Sequence, residues 1–322
     1  MVRILSETDV REALELESLL DVVEETLIKQ ANGAVERPER PHFPVGEGLD
    51  GDESLGTGLT MPAYCHGDPY FATKLVSVNE GNDQRNLPTI HAQIVLTDAR
   101  TGVPEAFMAG TTITNARTGC IGGVAVRELA PDAKTVGVLG AGAQARWQTR
   151  AIDAVTDLES VRIYSPSSSR EACASDLQAE AIPATAVDSP REAVDGADVV
   201  VTATTSTEPV FPADALADGA VVVAIGAYTA EMQELESAVL DEAETVYADV
   251  PEEVAATGDV QASSLRVDDL VPLGALLERG YSAERTDETL VVESVGAATL
   301  DAAAAQAVYE GSSDTGTDVS LD

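Results

Sequence analysis

The stretch "TVGVLGAGAQARWQ", residues 135–148, decides the reading of this chain. Val136, Val138 and Leu139 form a short apolar run, which predicts a buried strand over 135–139 and a helix from 143 onward. Between the two stands the pattern G-x-G-x-x-A. Gly140 allows a tight turn out of the strand. Gly142 has no Cβ, so a pyrophosphate can approach the backbone. Ala145 takes the third small position, where helix packs closely on strand. The helix then aims its first N–H groups and the positive end of its dipole at the phosphates. Alone, the pattern is a common Gly-rich turn. With a strand before it and a helix after it, inside an alternating region, it is a dinucleotide fingerprint.

From Pro131 onward the chain alternates in this way. Strands are expected at 135–139, 160–164, 198–202, 220–225 and 244–248, and helices at 143–155, 169–179, 190–194 and 232–239. Strand and helix in series imply parallel α/β winding. Ahead of Pro131, residues 6–31 read as one helix, with Ser6 and Asp9 as a capping pair. Residues 33–62, rich in Gly, Pro and acids, read as extended segments and loops. Strands follow at 70–78, 90–97 and 104–110, then a long helix at 111–129. The C-terminal region holds an apolar strand and an Ala-rich helix at 297–310, and the polar tail from 311 is expected to fray.

The second strand of the winding is "VRIY", 161–164, followed by "SPSSSR". No Asp or Glu stands there to accept from a ribose 2′-OH. Ser165, Ser167, Ser168 and Ser169 offer hydroxyls and Arg170 a guanidinium, which suits a 2′-phosphate and favours NADP(H) over NAD(H). A solvated turn with a helix N-cap is the other reading of these residues.

The 322 residues carry 56 acids against 19 bases, a formal charge of −37. Such a field repels nucleic acid and anionic lipid. The acids are dispersed, and only Lys29, Lys74 and Lys134 are lysines. This is the composition of proteins from salt-loaded, halophilic cytoplasm, where ionic strength screens self-repulsion. No apolar run of membrane-spanning length occurs, and "MVRILSETDVREALELE" has acids where a signal peptide would be apolar. A soluble cytoplasmic protein is expected. Cys65, Cys120, Cys173, His42, His66 and His91 are scattered without metal-ligand spacing, so no metal is expected.

"TKLVSVNEGNDQRNLPT", "TDARTGVPEAFMAGTTITNARTG", "VGVLGAGAQA", "VVTATTS" and "VGAATLD" follow one another in the order seen in the ornithine cyclodeaminase/μ-crystallin family. The resemblance covers about residues 1–311. It implies a homodimer whose substrate domains pair their sheets. It also implies a Rossmann dinucleotide-binding domain at 126–300 and an α+β substrate and dimerisation domain at 1–125, joined by 301–322. Arg117 resembles the arginine that grips the substrate carboxylate, Lys74 its lysine partner, and Arg40, in "ERPERPHF", the second arginine, with Arg37 as a competitor. The residues agree: Lys74 lies in an apolar strand pattern, where a charge is costly unless paired. Arg117 lies mid-helix between small residues, where its planar fork can reach a carboxylate. A structural salt bridge is the alternative for each. Thr118, Thr202, Ala203, Thr204 and Ser206 resemble cofactor contacts, as do Ala143 and Gln144 within the glycine loop. Gly226 and Gly296 resemble positions beside the nicotinamide ring.

One motif departs from the family. Cyclodeaminases, and the related alanine dehydrogenases, carry an aspartate in "G-x-D-x-P-G-K-x-E-L", whereas this chain has "IGAYTAEMQEL", 225–235, with Tyr228 at that position. An acid ahead of "MP" is also missing before Met61. Ornithine cyclisation needs protons moved at each stage and a carboxylate to fix the cationic amine. A tyrosine with an ordinary pKa of about 10 does not supply that charge. Reduction of a preformed α-imino acid, such as pyrroline-2-carboxylate, asks less. The expected activity is therefore NAD(P)-dependent imine reduction, or its reverse as an alanine-type amino-acid dehydrogenase, with Lys74, Arg117 and Tyr228 at the reacting end. Ornithine cyclodeaminase with bound NAD is the alternative. A non-catalytic protein that stores dinucleotide and ligand is a third.

Overall fold

The structure is a computed structural model and describes residues 1–49, 51–85, 87–281 and 287–321. In chain order the first elements are β1 (Val2–Leu5), α1 (Glu7–Ala13), α2 (Leu16–Ala31), β2 (Val35–Glu36), β3 (His42–Val45), β4 (Gly56–Cys65), β5 (Tyr70–Val78), β6 (Ile90–Asp98), β7 (Pro104–Ala109) and α3 (Gly110–Leu129). The alternating region follows: β8 (Thr135–Leu139), α4 (Ala143–Asp153), β9 (Ser160–Tyr164), α5 (Ser169–Ala179), β10 (Ala184–Ala186), α6 (Pro190–Val194), β11 (Val199–Thr202) and β12 (Val221–Ala224). The remainder is α7 (Ser237–Asp241), β13 (Thr245–Ala248), α8 (Pro251–Val254), α9 (Gly258–Ala262), β14 (Leu270–Pro272), α10 (Leu273–Arg279), β15 (Leu290–Glu293), α11 (Ala298–Gly311) and β16 (Thr317–Val319). No helix among the described residues is long and apolar enough to cross a membrane.

The chain divides into two compact units. The first comprises residues 1–22, 32–117 and 298–322, and the second residues 23–31 and 118–297. The first is built on a mixed sheet of order β16-β1-β7-β6-β5-β4-β2, with β3 paired to β4. Its inner positions alternate along each strand, as the period of two requires. Ala72 and Lys74 of β5, Ile94 and Leu96 of β6, and Ala106 and Met108 of β7 are all buried. Helix α11 packs on this inner face against β4 and β5.

The second unit holds a fully parallel sheet of order β10-β9-β8-β11-β12-β15-β13-β14. The winding runs outward from β8 through β9 to β10, then returns to β11 and proceeds the other way. Parallel strands covered on both faces read as unbroken apolar runs, and "VVV" at 199–201 and 221–223 is buried throughout. The expected α/β class, with a Rossmann-type sheet and a second α+β part, is the observed one.

Three sequence expectations are corrected. Residues 6–31 form two helices, because Leu14 turns extended (φ −85°, ψ 120°) and ends α1. The Ser6–Asp9 capping box is present. The tail from 311 does not fray completely: β16 pairs antiparallel with β1, and Arg3 ties it down through the Ser312 carbonyl and Asp318. The helix expected at 232–239 starts only at Ser237; the segment before it is drawn into loop contacts, including a bridge between Thr207 and Gln233.

Candidate active site

In the second unit the glycine loop leaves β8 as its residue types require. Gly140 has φ +113°, and a Cβ there would lie 2.4 Å from the Ala203 carbonyl. No residue but glycine fits that turn. Gly142 is the N-cap of α4 with no side-chain cap, and a Cβ on it would meet nothing within 4 Å. No side chain of the N-cap residue caps the first turn of this eleven-residue helix, which begins at Ala143 and Gln144, the arrangement that receives an anion. Ala145 is fully buried beneath the turn. Arg146 donates to the carbonyls of Ala141 (2.6 Å) and Gly142 (3.1 Å) and pairs with Asp176, fixing the loop from behind. These residues fit a dinucleotide pyrophosphate.

The turn after β9 is less simple than its sequence. Ser165 is buried, while Ser167 and Ser168 are exposed. Ser169 Oγ lies 2.7 Å from Ser167 Oγ and 3.3 Å from Ser165 Oγ. The acid-free reading of this turn is corrected: Arg170 contacts Glu171 (3.2 Å) and Asp188 (3.0 Å), the latter arriving from beyond β10, and it donates to the Ser165 carbonyl.

The loops after β11 and β12 form the rest of this edge. Thr202 is fully buried, Ala203 and Thr204 face the glycine loop, and Ser206 is bound to Thr204 Oγ1 through its N–H. Gly226 follows β12, and a Cβ there would strike the Thr204 carbonyl at 2.3 Å. Gly296 follows β15 with φ +76° and donates its N–H to Asp249 (2.8 Å). Tyr228 is 56% exposed. Thr118 is buried, and its carbonyl accepts from Gln148.

The first unit brings together a buried charge cluster. Lys74 points inward from β5, Arg117 from α3 and Asp301 from α11. Their relative exposures are 3%, 4% and 1%. The Lys74 ammonium lies 2.5 Å from one Asp301 oxygen, and Arg117 Nε lies 2.9 Å from the other. Two cations share one anion, so the cluster keeps one unbalanced positive charge. Arg117 Nη1 is buried with no hydrogen-bond partner. Burial lowers the Lys74 pKa to about 8, opposed by Asp301 and reinforced by Arg117 and Arg40. Burial pushes the Asp301 carboxyl up, but Arg117 and Lys74 outweigh it and hold the group below its ordinary value. Arg40 is half-buried in the loop between β2 and β3, near enough for its charge to act on Lys74. An anion that accepted from Arg117 Nη1 would complete both the charge and the hydrogen bonding.

Sequence reasoning did not single out Asp301. Its signal was its place at the end of the family-like "VGAATLD" segment, near the start of the Ala-rich helix. It also missed the roles of Glu234 and Asp249, which gather loop N–H groups beneath the parallel sheet's edge. Among the described residues no group of His, Cys, Asp and Glu is arranged to hold a metal ion, and all three cysteines are buried and outside any disulfide.

The model of the ornithine cyclodeaminase/mu-crystallin family matches residues 2–316. A Delta(1)-pyrroline-2-carboxylate reductase of Bacillus cereus is 32% identical over 286 residues, covering 84% of this chain and 86% of the relative. Among solved structures, the Delta(1)-pyrroline-2-carboxylate reductase of Thermococcus litoralis, in complex with NADH and L-proline, superposes with a TM-score of 0.91. It is 29% identical, with 99% of this chain and 100% of that chain covered. An archaeal alanine dehydrogenase dimer with bound NAD gives a TM-score of 0.90 at 28% identity, covering 100% and 99%.

Proposed function

Because the chain belongs to the ornithine cyclodeaminase/mu-crystallin family, we propose that it is a nicotinamide-dependent oxidoreductase that interconverts a small α-imino acid and the corresponding amino acid. Reduction of a cyclic ketimine such as pyrroline-2-carboxylate is the favoured direction. One observation carries this reading: the buried Lys74–Asp301–Arg117 cluster holds an excess positive charge and an unpartnered guanidinium nitrogen. Those are the requirements of a carboxylate ligand.

In this reading Arg117 Nη1 and the Lys74 ammonium receive the substrate carboxylate. Asp301 keeps both cations in place while the site is empty. Arg40 adds positive field from the adjoining loop. The cluster is buried, so each interaction acts at lowered dielectric and fixes the orientation of the substrate. The second unit binds the dinucleotide on the start of α4, with Gly140, Gly142, Ala203 and Thr204 as its walls. The dinucleotide, when bound, supplies or accepts the hydride. Lys74, with its pKa near 8, remains a cation at neutral pH.

The solved relatives hold NADH and NAD, which supports a nicotinamide cofactor; the phosphorylated form for this chain rests on its own turn after β9. We favour NADP(H). The exposed Ser167 and Ser168 hydroxyls and Arg170 surround the turn, and the Asp188 carboxylate on Arg170 is 92% exposed, a weak hold that a 2′-phosphate can replace. The fold also leaves an apolar strip on the outer face of the mixed sheet. Ile4, Phe107, Val95 and Thr73 stand in register across β1, β7, β6 and β5, with Leu75 beside them. A second copy of the chain, covering this face, is the proposed partner.

The deciding experiment is a turnover screen in molar salt. Pyrroline-2-carboxylate and other imino acids are supplied with NADPH or NADH, and alanine, proline and ornithine with the oxidised cofactors. Imino-acid-dependent oxidation of NADPH, with higher kcat/KM than for NADH, is the expected result. Ammonia release from ornithine without net cofactor change would instead identify a cyclodeaminase. Dinucleotide binding without any turnover would identify a storage protein.

A further inference from the structure

The winding of the parallel sheet reverses between β8 and β11, and ligands of such sheets bind in the crevice above that reversal. One wall of the crevice is the glycine loop after β8; the other is the loop after β11, which touches it at Gly140 and Ala203. Glu234 comes up beneath this second wall. It is fully buried and makes no use of solvent. One carboxylate oxygen accepts from the Thr204 N–H at 2.6 Å. The other accepts from the Thr202 hydroxyl at 2.8 Å and from the Gly226 N–H at 2.8 Å.

Glu234 is itself held. Its own N–H and that of Leu235 donate to Asp259 Oδ1 at 2.8 and 2.7 Å, and its carbonyl accepts from Val210. The side chain thus spans the loops after β11 and β12 from an anchored base. All three of its partners are donors, so an acceptor-only carboxylate satisfies them and an amide does not. Thr202 has no surface of its own, so its hydroxyl reaches Glu234 and no ligand.

We propose that Glu234 is a positioning residue for dinucleotide binding: it fixes the β11 loop against the glycine loop and so sets the width of the crevice, without touching the cofactor. The inference rests on the dinucleotide reading above, and its test separates the two. NADH and NADPH dissociation constants are read by fluorescence titration of the whole protein, with no substrate present, alongside thermal melting and the steady-state constants. Glu234→Gln turns an N–H₂ against at least one donor. It is expected to weaken dinucleotide binding about tenfold or more, raising the KM for dinucleotide while the imino-acid KM stays within about twofold of wild type. Thr202→Val removes one donor and keeps the carboxylate; about threefold weaker binding is expected, and Thr202→Ser should restore it. The double variant should bind no more weakly than Glu234→Gln alone, because both changes act on one brace.

If Glu234→Gln does not fold, the Thr202 pair decides. Wild-type affinity in a folded Glu234→Gln protein, or in Thr202→Val, overturns the inference. Strictly additive losses overturn it as well, since Thr202 would then act independently of Glu234. A wild-type protein that binds neither dinucleotide overturns the functional reading itself.

Discussion

The Lys74 ammonium and the Asp301 carboxylate meet 2.5 Å apart inside the first unit, one from a strand and the other from the last helix, each almost wholly buried. A buried pair of this kind adds little stability over apolar packing, because both ions lose water. Here Arg117 joins the same carboxylate, so the cluster carries a charge that its own residues do not neutralise. That imbalance is a cost to the fold, and a bound carboxylate removes it.

Replacing Arg117 with Ala deletes the unpartnered Nη1 together with the bond to Asp301. A hydrogen bond to a charged group contributes about 1.5–3 kcal/mol. The KM for the imino acid is therefore expected to rise roughly ten- to a hundredfold, with the dinucleotide dissociation constant within about twofold of wild type. Steady-state kinetics and a cofactor titration check both halves. An unchanged imino-acid KM removes Arg117 from the site.

Lys74 gives a pH signature. Its pKa in the folded protein is about 8, below the ordinary 10.5, with burial as the leading cause. The free enzyme loses the ammonium as pH rises through 8, so kcat/KM is expected to fall above that point, and Lys74→Met should lack this limb at a uniformly lower level. Stability moves the other way. Between pH 8 and 10.5 the unfolded chain binds more protons at this residue than the folded one, so the Lys74 contribution to stability improves with pH across that window. A flat kcat/KM profile from pH 7 to 9.5 contradicts the assignment.

Glu293 ends β15 with 1% exposure, and its Oε1 has no partner. Burial, then the charges of Asp259, Glu234 and Asp249, push its pKa well above 4.5. The folded state holds a proton there that the unfolded state gives up, so the Glu293 contribution is intact below pH 4.5 and declines as pH rises toward the folded pKa. Glu293→Gln keeps the shape and removes the titration. At pH 8 it is expected to melt above wild type. The gap should narrow toward pH 5. Calorimetry at the two pH values measures it, and a variant less stable at pH 8 rules the neutral form out.

The charge of −37 makes salt a variable. Screening shortens the reach of self-repulsion from about 10 Å at 0.1 M to about 3 Å at 1 M. The melting temperature is expected to climb steadily with KCl into the molar range. Equal stability in dilute buffer would separate this composition from a saline habitat.

Much of the second unit was legible from local pattern. The bounds of β8, β9, α5 and α6 are those expected, because a buried parallel strand must be an unbroken apolar run and its flanking turns need Gly, Ser or Pro. The glycine loop was equally plain, since Gly140 answers to a positive φ and a carbonyl 2.4 Å from its missing Cβ. Strands β1, β10, β14 and β16 were not legible: each has three or four residues, too short to display a period. Nothing in "EALELES" breaks a helix by itself, yet α1 ends within it.

The sequence by itself determined the winding, the turn that bends out of β8 and the rarity of lysine that makes Lys74 conspicuous. Tertiary structure alone decided which acids meet which bases. With 56 acids in the chain, no local rule selects Asp301 for Lys74 and Arg117, or Asp188 for Arg170. The physical reason is range: backbone preference acts over a few residues, whereas a buried charge is paired by whatever the fold carries to within about 4 Å of it.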